Sequence, residues 1–310
     1  MSKFKIVSKA KFFMMVSILV ILAGVAVGVF SGVNLGIDFT GGTLMTVELG
    51  QDFDVADINE VLEANGIKDA PVVKTSAEAG EVMTQAQIRI KDIEGVKSED
   101  LRAAILEGLT EKYPDTVVYD GETIGAVTSS EIILNAFLSV TIASVLMLFY
   151  IWYRFELYSG IAAVVALIHD ILIMSAVMVI FQKQVNSPYI AAVLTIVGYS
   201  INDTIVLFDR IRENNRKYSH KEYTREEVAD ISFSETLSRT LNTSLTTLIT
   251  ITCLYVLGVE SIKEFAFPLI VGLVSGTYSS IFIASPIWVA LMNRSLKKLG
   301  IKQKSTAKKA

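Results

Sequence analysis

The chain has 310 residues, 52% of them apolar, and a formal net charge of −4. Its apolar residues gather in long runs, which excludes an ordinary soluble domain and makes it an integral membrane protein. With one cysteine, Cys253, and two histidines, His169 and His220, an intrachain disulfide is impossible and a histidine-based metal centre is not expected; no nucleotide-binding loop or nucleophile triad is present either.

Residues 1–11 carry Lys3, Lys5, Lys9 and Lys11 and precede a first apolar run at 12–30. That run is longer than the core of a typical signal peptide, so it reads as an uncleaved anchor. Between residues 31 and 131 there are 7 basic and 20 acidic side chains, a local net charge of −13 that the small overall charge conceals. This block is expected to be a soluble domain on the outer side, and its acidity does not hinder export, because long loops cross largely regardless of charge. It opens on Gly36-Ile-Asp-Phe-Thr-Gly-Gly42, whose glycines suit a tight exit from the span while Asp38 suggests no chemistry. Residues 43–49 alternate like a strand. Residues 55–64 fit a helix with Asp54 as N-cap, 71–75 and 87–90 read as short strands, and Ser98 begins a helix over 99–112 before a last strand at 116–119. The order β-α-β-β-α-β predicts a small ferredoxin-like α+β domain.

Five further apolar runs follow, at about 132–153, 160–181, 189–208, 240–258 and 266–292, each near the roughly 20 residues needed to cross a bilayer. Spans two to four thus occupy 132–209, and spans five and six 239–292. Residues 210–238 form a charged segment in which Thr224-Arg-Glu-Glu227 is a capping box, predicting an amphipathic helix at the inner surface. Residues 293–310 are a basic tail. Lys and Arg concentrate at the N-terminus, in the segment from Arg210 to Arg225 and in the tail from Arg294 to Lys309, so both termini are expected in the cytoplasm.

Charge inside the spans is the functional signal, since a carboxylate in hydrocarbon is costly unless paired, hydrated or protonated. The fourth span contains Asn202 and Asp203, and Asp203 is the expected proton-carrying group. Arg239 begins the fifth span at a compatible depth, which predicts an ion pair with Asp203. Thr243, Thr246 and Thr250 continue its helical face and could line a hydrated path, or simply bond back to the helix. His169 and Asp170 lie midway along the third span. Asp170 has two readings: a member of the proton path, or a group bonding to hydroxyls of a neighbouring helix. Asp209 and Arg210 sit where snorkelling makes charge cheap. Gly24, Gly28 and Gly32, and Gly272 with Gly276, permit close helix contact, the latter beside Ser275 and Ser279.

The stretch Gly198-Tyr-Ser-Ile-Asn-Asp-Thr-Ile-Val-Leu-Phe-Asp-Arg-Ile-Arg-Glu-Asn214 closely resembles the fourth-helix motif of the SecF family. Ser234-Glu-Thr-Leu-Ser-Arg-Thr-Leu-Asn-Thr-Ser244 resembles its fifth-helix motif, and similar likeness extends to the Gly36–Gly42 element, residues 166–171 and residues 265–280. The resemblance implies an RND-type half-unit of six transmembrane helices in the bacterial inner membrane. It also implies a functional pairing of Asp203 with Arg239 and the proton gradient, rather than a cofactor, as energy source. Implied partners are SecD, the SecYEG channel, YajC and other Sec accessory proteins, unfolded preprotein clients and membrane lipid, with no nucleic acid. A proton-driven small-molecule exporter of the same superfamily is the alternative; such exporters usually carry larger external domains and both halves in one chain.

Overall fold

The computed structural model describes residues 5–67, 70, 72–75, 83–91, 98–124, 126–218 and 222–298. His220, Lys221, residues 92–97 and the residues from 299 onward lie outside the described residues, as does Lys3.

Among the described residues, six helical stretches are long and apolar enough to cross a membrane. They are α1 (Ile6–Ser31), α5 (Ala126–Arg154), α6 (Leu157–Ile180), α7 (Ser187–Lys217), α8 (Arg225–Leu257) and a last stretch made of α9 (Glu260–Ser279), a π-helical segment (Ser280–Ala284) and α10 (Ser285–Lys298). Pro286 has no N–H to donate to the carbonyl of Phe282, and the widened turn lies where that bond would form. The apolar run at 266–292 gave no hint of this break. The N-terminus of α1 is fixed from a distance: Asp230 of α8 accepts hydrogen bonds from the backbone N–H groups of Ile6 (3.0 Å) and Val7 (3.2 Å).

The capping box is present, with Thr224 and Glu227 each bonding the other's backbone N–H. However, the helix it starts is not a separate surface helix. No glycine or proline interrupts residues 225–257, so the helix propagates straight into the fifth span. Likewise α7 continues past residue 208 to Lys217, and the two ends grip each other: the Asn214 amide donates to Ser232 (3.0 Å) and Glu235 (2.6 Å), while Arg210 donates to Glu235 (2.7 Å).

Between α1 and α5 lies the small domain. A short helix, α2 (Ile37–Thr40), leads to β1 (Gly42–Glu48), α3 (Val55–Ala64), β2 (Val72–Thr75), β3 (Gln85–Lys91), α4 (Ser98–Lys112) and β4 (Val117–Ile124). The sheet is antiparallel in the order β2-β3-β1-β4, the ferredoxin-like arrangement. Alternation along β1 and β3 puts Met45, Val47, Ile88 and Ile90 on one face, where they bury against Ile58 and Leu62 of α3 and Ile105 and Leu109 of α4. Asp54 caps α3 as expected, accepting from Ala56 N at 3.0 Å. The last strand outruns the predicted 116–119 because β1 offers partners along its whole length, apart from a shift at Thr46/Val47.

Candidate functional site

Asp203 lies on α7 with 3% of its surface exposed. Among the described residues its one hydrogen bond comes from Ser244 of α8, whose Oγ donates to Oδ2 at 3.2 Å. Ser244 has a single proton, already committed to Asp203, so at its 2.7 Å contact with Thr277 of α9 the Thr277 hydroxyl is the donor, sharing its proton with the carbonyl of Leu273 (2.8 Å). A relay of two hydroxyls therefore joins the carboxylate to a third helix.

The expected ion pair is not formed. Arg239 is near enough to act on Asp203 through space, but it is exposed and makes no contact with Asp203 within ion-pair distance. Helical register explains the difference. Thr236, Thr240 and Ser244, spaced at i, i+4 and i+8, are the buried stripe of α8, whereas Arg239, with Thr246 and Thr250, lies on its exposed flank, roughly 100° round the helix from the middle of that stripe. The threonines behave as the simpler reading foresaw: Thr243 donates to the carbonyl of Arg239 (2.9 Å), Thr246 to that of Thr243 (2.9 Å) and Thr250 to that of Thr246 (3.1 Å). Asn202 is exposed and is not among the groups bonding Asp203.

Asp170 of α6 has a different environment. It is fully buried and accepts hydrogen bonds from Ser200 of α7 (2.6 Å) and from Ser275 (2.7 Å) and Ser279 (2.8 Å) of α9. Its neighbour His169 lies 3.1 Å away through Nδ1, and the other ring nitrogen meets Ser17 of α1 at 2.8 Å. The tautomer that satisfies both contacts donates from Nδ1 and accepts at Nε2. The His169 ring also stacks on Tyr278, whose hydroxyl donates to the carbonyl of Phe13 at 2.6 Å. This is the alternative in which Asp170 bonds to hydroxyls of neighbouring helices.

Three residues within the stretch 275–279 of α9 serve the two carboxylates. Ser275 and Ser279 face Asp170, Thr277 faces Ser244, and Tyr278 reaches α1, all immediately before the π-helical segment. Close approach of α7 and α9 makes this possible. A Cβ on Gly276 would come within 3.0 Å of Ser200 Cβ, and one on Gly272 within 2.4 Å of Ile196 Cγ1. Sequence reading singled out both glycines and the two serines as packing features. It did not connect the serines to Asp170, and it missed Ser200, Ser244 and Thr277 as partners.

Residues 105–294 match the family described as protein export membrane protein SecD/SecF, C-terminal, and residues 27–52 match the SecD/SecF GG motif, the stretch that holds Gly41 and Gly42. The protein translocase subunit SecF of Desulfurispirillum indicum is 40% identical over 88% of this chain and 86% of its own length. The chain belongs to the SecF family. A role in protein export follows from that membership, and with six apolar helices this SecF-family chain is a multi-pass membrane protein. Bacillus subtilis has a longer relative, protein translocase subunit SecDF, which is 34% identical over 96% of this chain; the match spans 39% of the relative. The crystal structure of SecDF from Thermus thermophilus, described as a translocon-associated membrane protein, superposes with a TM-score of 0.79 at 33% identity, again covering 94% of this chain and 39% of that one.

Proposed function

We propose that this SecF-family chain couples inward proton movement to protein export, with Asp203 as the group that takes up and releases the proton. The observation that supports this most directly is the sparse bonding of Asp203. An ionised carboxylate has about four acceptor positions. Among the described residues Asp203 receives a single, rather long hydrogen bond, in a helix expected to lie in hydrocarbon. Such a group is held weakly enough in its charged form to change state. On protonation its attraction to Arg239 ends, and Ser244 loses the charged acceptor that orients it. Thr277, and with it α9, then feels the change. A proton crossing 100 mV supplies roughly 2.3 kcal/mol, which biases a two-state element about fifty-fold.

The second half of the machine is SecD on this reading. The names of the fused relatives support it, as does the outward face of α8, where Arg239, Thr246 and Thr250 stand exposed among Leu241, Leu245 and Ile249. Polar groups on a membrane face call for a partner helix or water rather than lipid. Association with SecYEG, YajC and unfolded preproteins, placement in the bacterial inner membrane and cytoplasmic termini complete the proposal. Asp203→Asn is the test. The nearly isosteric amide should leave abundance and SecD copurification unchanged while abolishing gradient-dependent preprotein export in membrane vesicles. Arg239→Met should also inactivate. Normal export by Asp203→Asn at normal abundance would make the aspartate a packing group and end the proton reading.

A further inference from the structure

Among the described residues, a charged network centred on Arg89 ties the external sheet to the bundle. Arg89 lies on β3 between Ile88 and Ile90, which face the domain core, so its side chain leaves the opposite face of the sheet. Its Nη1 donates to Glu264 Oε1 at 2.5 Å and to Gln184 Oε1, and Nη2 donates to Gln87 Oε1 at 3.2 Å. The two ionic side chains are only 12% and 16% exposed. Glu264 is held from its other oxygen by Asn186 Nδ2 at 2.7 Å, and Asn186 Oδ1 in turn accepts from Tyr189 N at the start of α7. Strand β3, the start of α7 and the start of α9 therefore meet at one ion pair.

The connection reaches further than its own contacts. Glu264 and Thr277 are both on α9, about 20 Å apart at 1.5 Å per residue, and Asn186 is separated from Asp203 by about 25 Å of α7. Two of the three helices that shape the surroundings of Asp203 thus begin at this network, and the glycine contacts hold them close. Pro268 lies four residues after Glu264 and cannot donate to its carbonyl, so the first turns of α9 lack one bond of the helical ladder. With the π-helical segment at the other end, the stretch between them is bounded by two interruptions.

We propose that the Arg89–Glu264 pair is the coupling point through which a shift of α9 is delivered to the external domain. It rests on the proton reading of Asp203 for what moves α9, but not for the attachment itself. Breaking the pair should uncouple the domain without disturbing the carboxylate sites. Reversing both charges should rebuild it.

The test uses the full chain in nanodiscs with SecD, in a Cys253→Ser background with spin labels on cysteines placed at Glu63 of α3 and Leu257 of α8, both exposed. A narrow distance distribution is expected for the parent. Arg89→Ala and Glu264→Gln should broaden it and lower export per inserted molecule on the order of tenfold, and Arg89→Glu with Glu264→Arg should recover both. An unchanged distribution in the single variants overturns the attachment, and a broadened one with normal export overturns its role in coupling. Asp203→Asn in the same background should stop export and keep the distribution narrow. Normal export there defeats the proton reading alone, because the spin-label result stands apart from it.

Discussion

Asp170 and Asp203 are carboxylates on consecutive helices with almost the same burial, 0% and 3% exposed, yet one is surrounded by donors and the other has a single hydroxyl. Asp170 joins α6 to α7 and α9, and through His169 to α1. Every acceptor position is occupied, so moving any of these helices would strand donors in an apolar interior. Around Asp203 the opposite holds. Among the described residues its charge is met by one hydroxyl and by an arginine that is near but not ion-paired with it, leaving room for a change of partner. Burial alone does not identify a working carboxylate; the completeness of its hydrogen bonding separates a fastener from a switch.

The comparison breaks most visibly at Asp170. Asp170→Ala removes an acceptor from three serines and should cost about 2 kcal/mol or more, taking membrane hydrogen bonds at the lower end of their measured worth. Loss of folded protein, read by abundance and by detergent-stable copurification with SecD, is the expected outcome; export per surviving molecule should change far less. Removing donors rather than the acceptor is milder. Ser275→Ala with Ser279→Ala should cost on the order of 1 kcal/mol and lower the thermal midpoint in detergent. At the other site, Thr277→Val should leave abundance intact and reduce export several-fold, because it cuts the relay from Asp203 to α9 while keeping the side-chain volume. A variant that aggregates instead would move Thr277 into the structural group.

Much of this architecture could be read from the chain, and the parts that could not share a cause. The apolar runs, the alternation in β1 and β3, the cap at Asp54 and the box at Thr224 depend on residues near one another in sequence, as does the oddity of a carboxylate at position 203. Which face of α8 turns inward depends on how whole helices rotate against each other, so Arg239 was expected to meet Asp203 and Ser244 does so instead. The serines around Asp170 come from two helices up to 109 residues away, and hydroxyls in membrane helices commonly bond to their own backbone, so no local pattern marks them. Arg89 and Glu264 are 175 residues apart, and neither stands out among the chain's charged side chains.

The smallest effect lies at Asp57 in the external domain, where the charges are open to solvent. The hydroxyl of Tyr113, with Lys112 beside it, holds the Asp57 carboxyl below the usual carboxylate range. A folded-state value below the unfolded one adds stability that is present above the unfolded pKa, about 3.9, and is lost as pH falls through the folded value. Amide exchange in α3 and α4 should therefore be insensitive to pH-dependent unfolding between about pH 5 and 8. Below that range the protection, corrected for the intrinsic pH dependence of exchange, should fall, and Asp57→Asn should flatten the response.

The central claim is that the two buried carboxylates have different jobs, and Asn at each position tests it most directly. Asp203→Asn and Asp170→Asn would be prepared side by side, with inserted protein quantified and gradient-dependent export measured in the same vesicles. The account predicts full insertion without export for Asp203→Asn. For Asp170→Asn it predicts reduced insertion, with export persisting in proportion to the protein that remains. Export lost at full insertion in Asp170→Asn, or retained in Asp203→Asn, would contradict it.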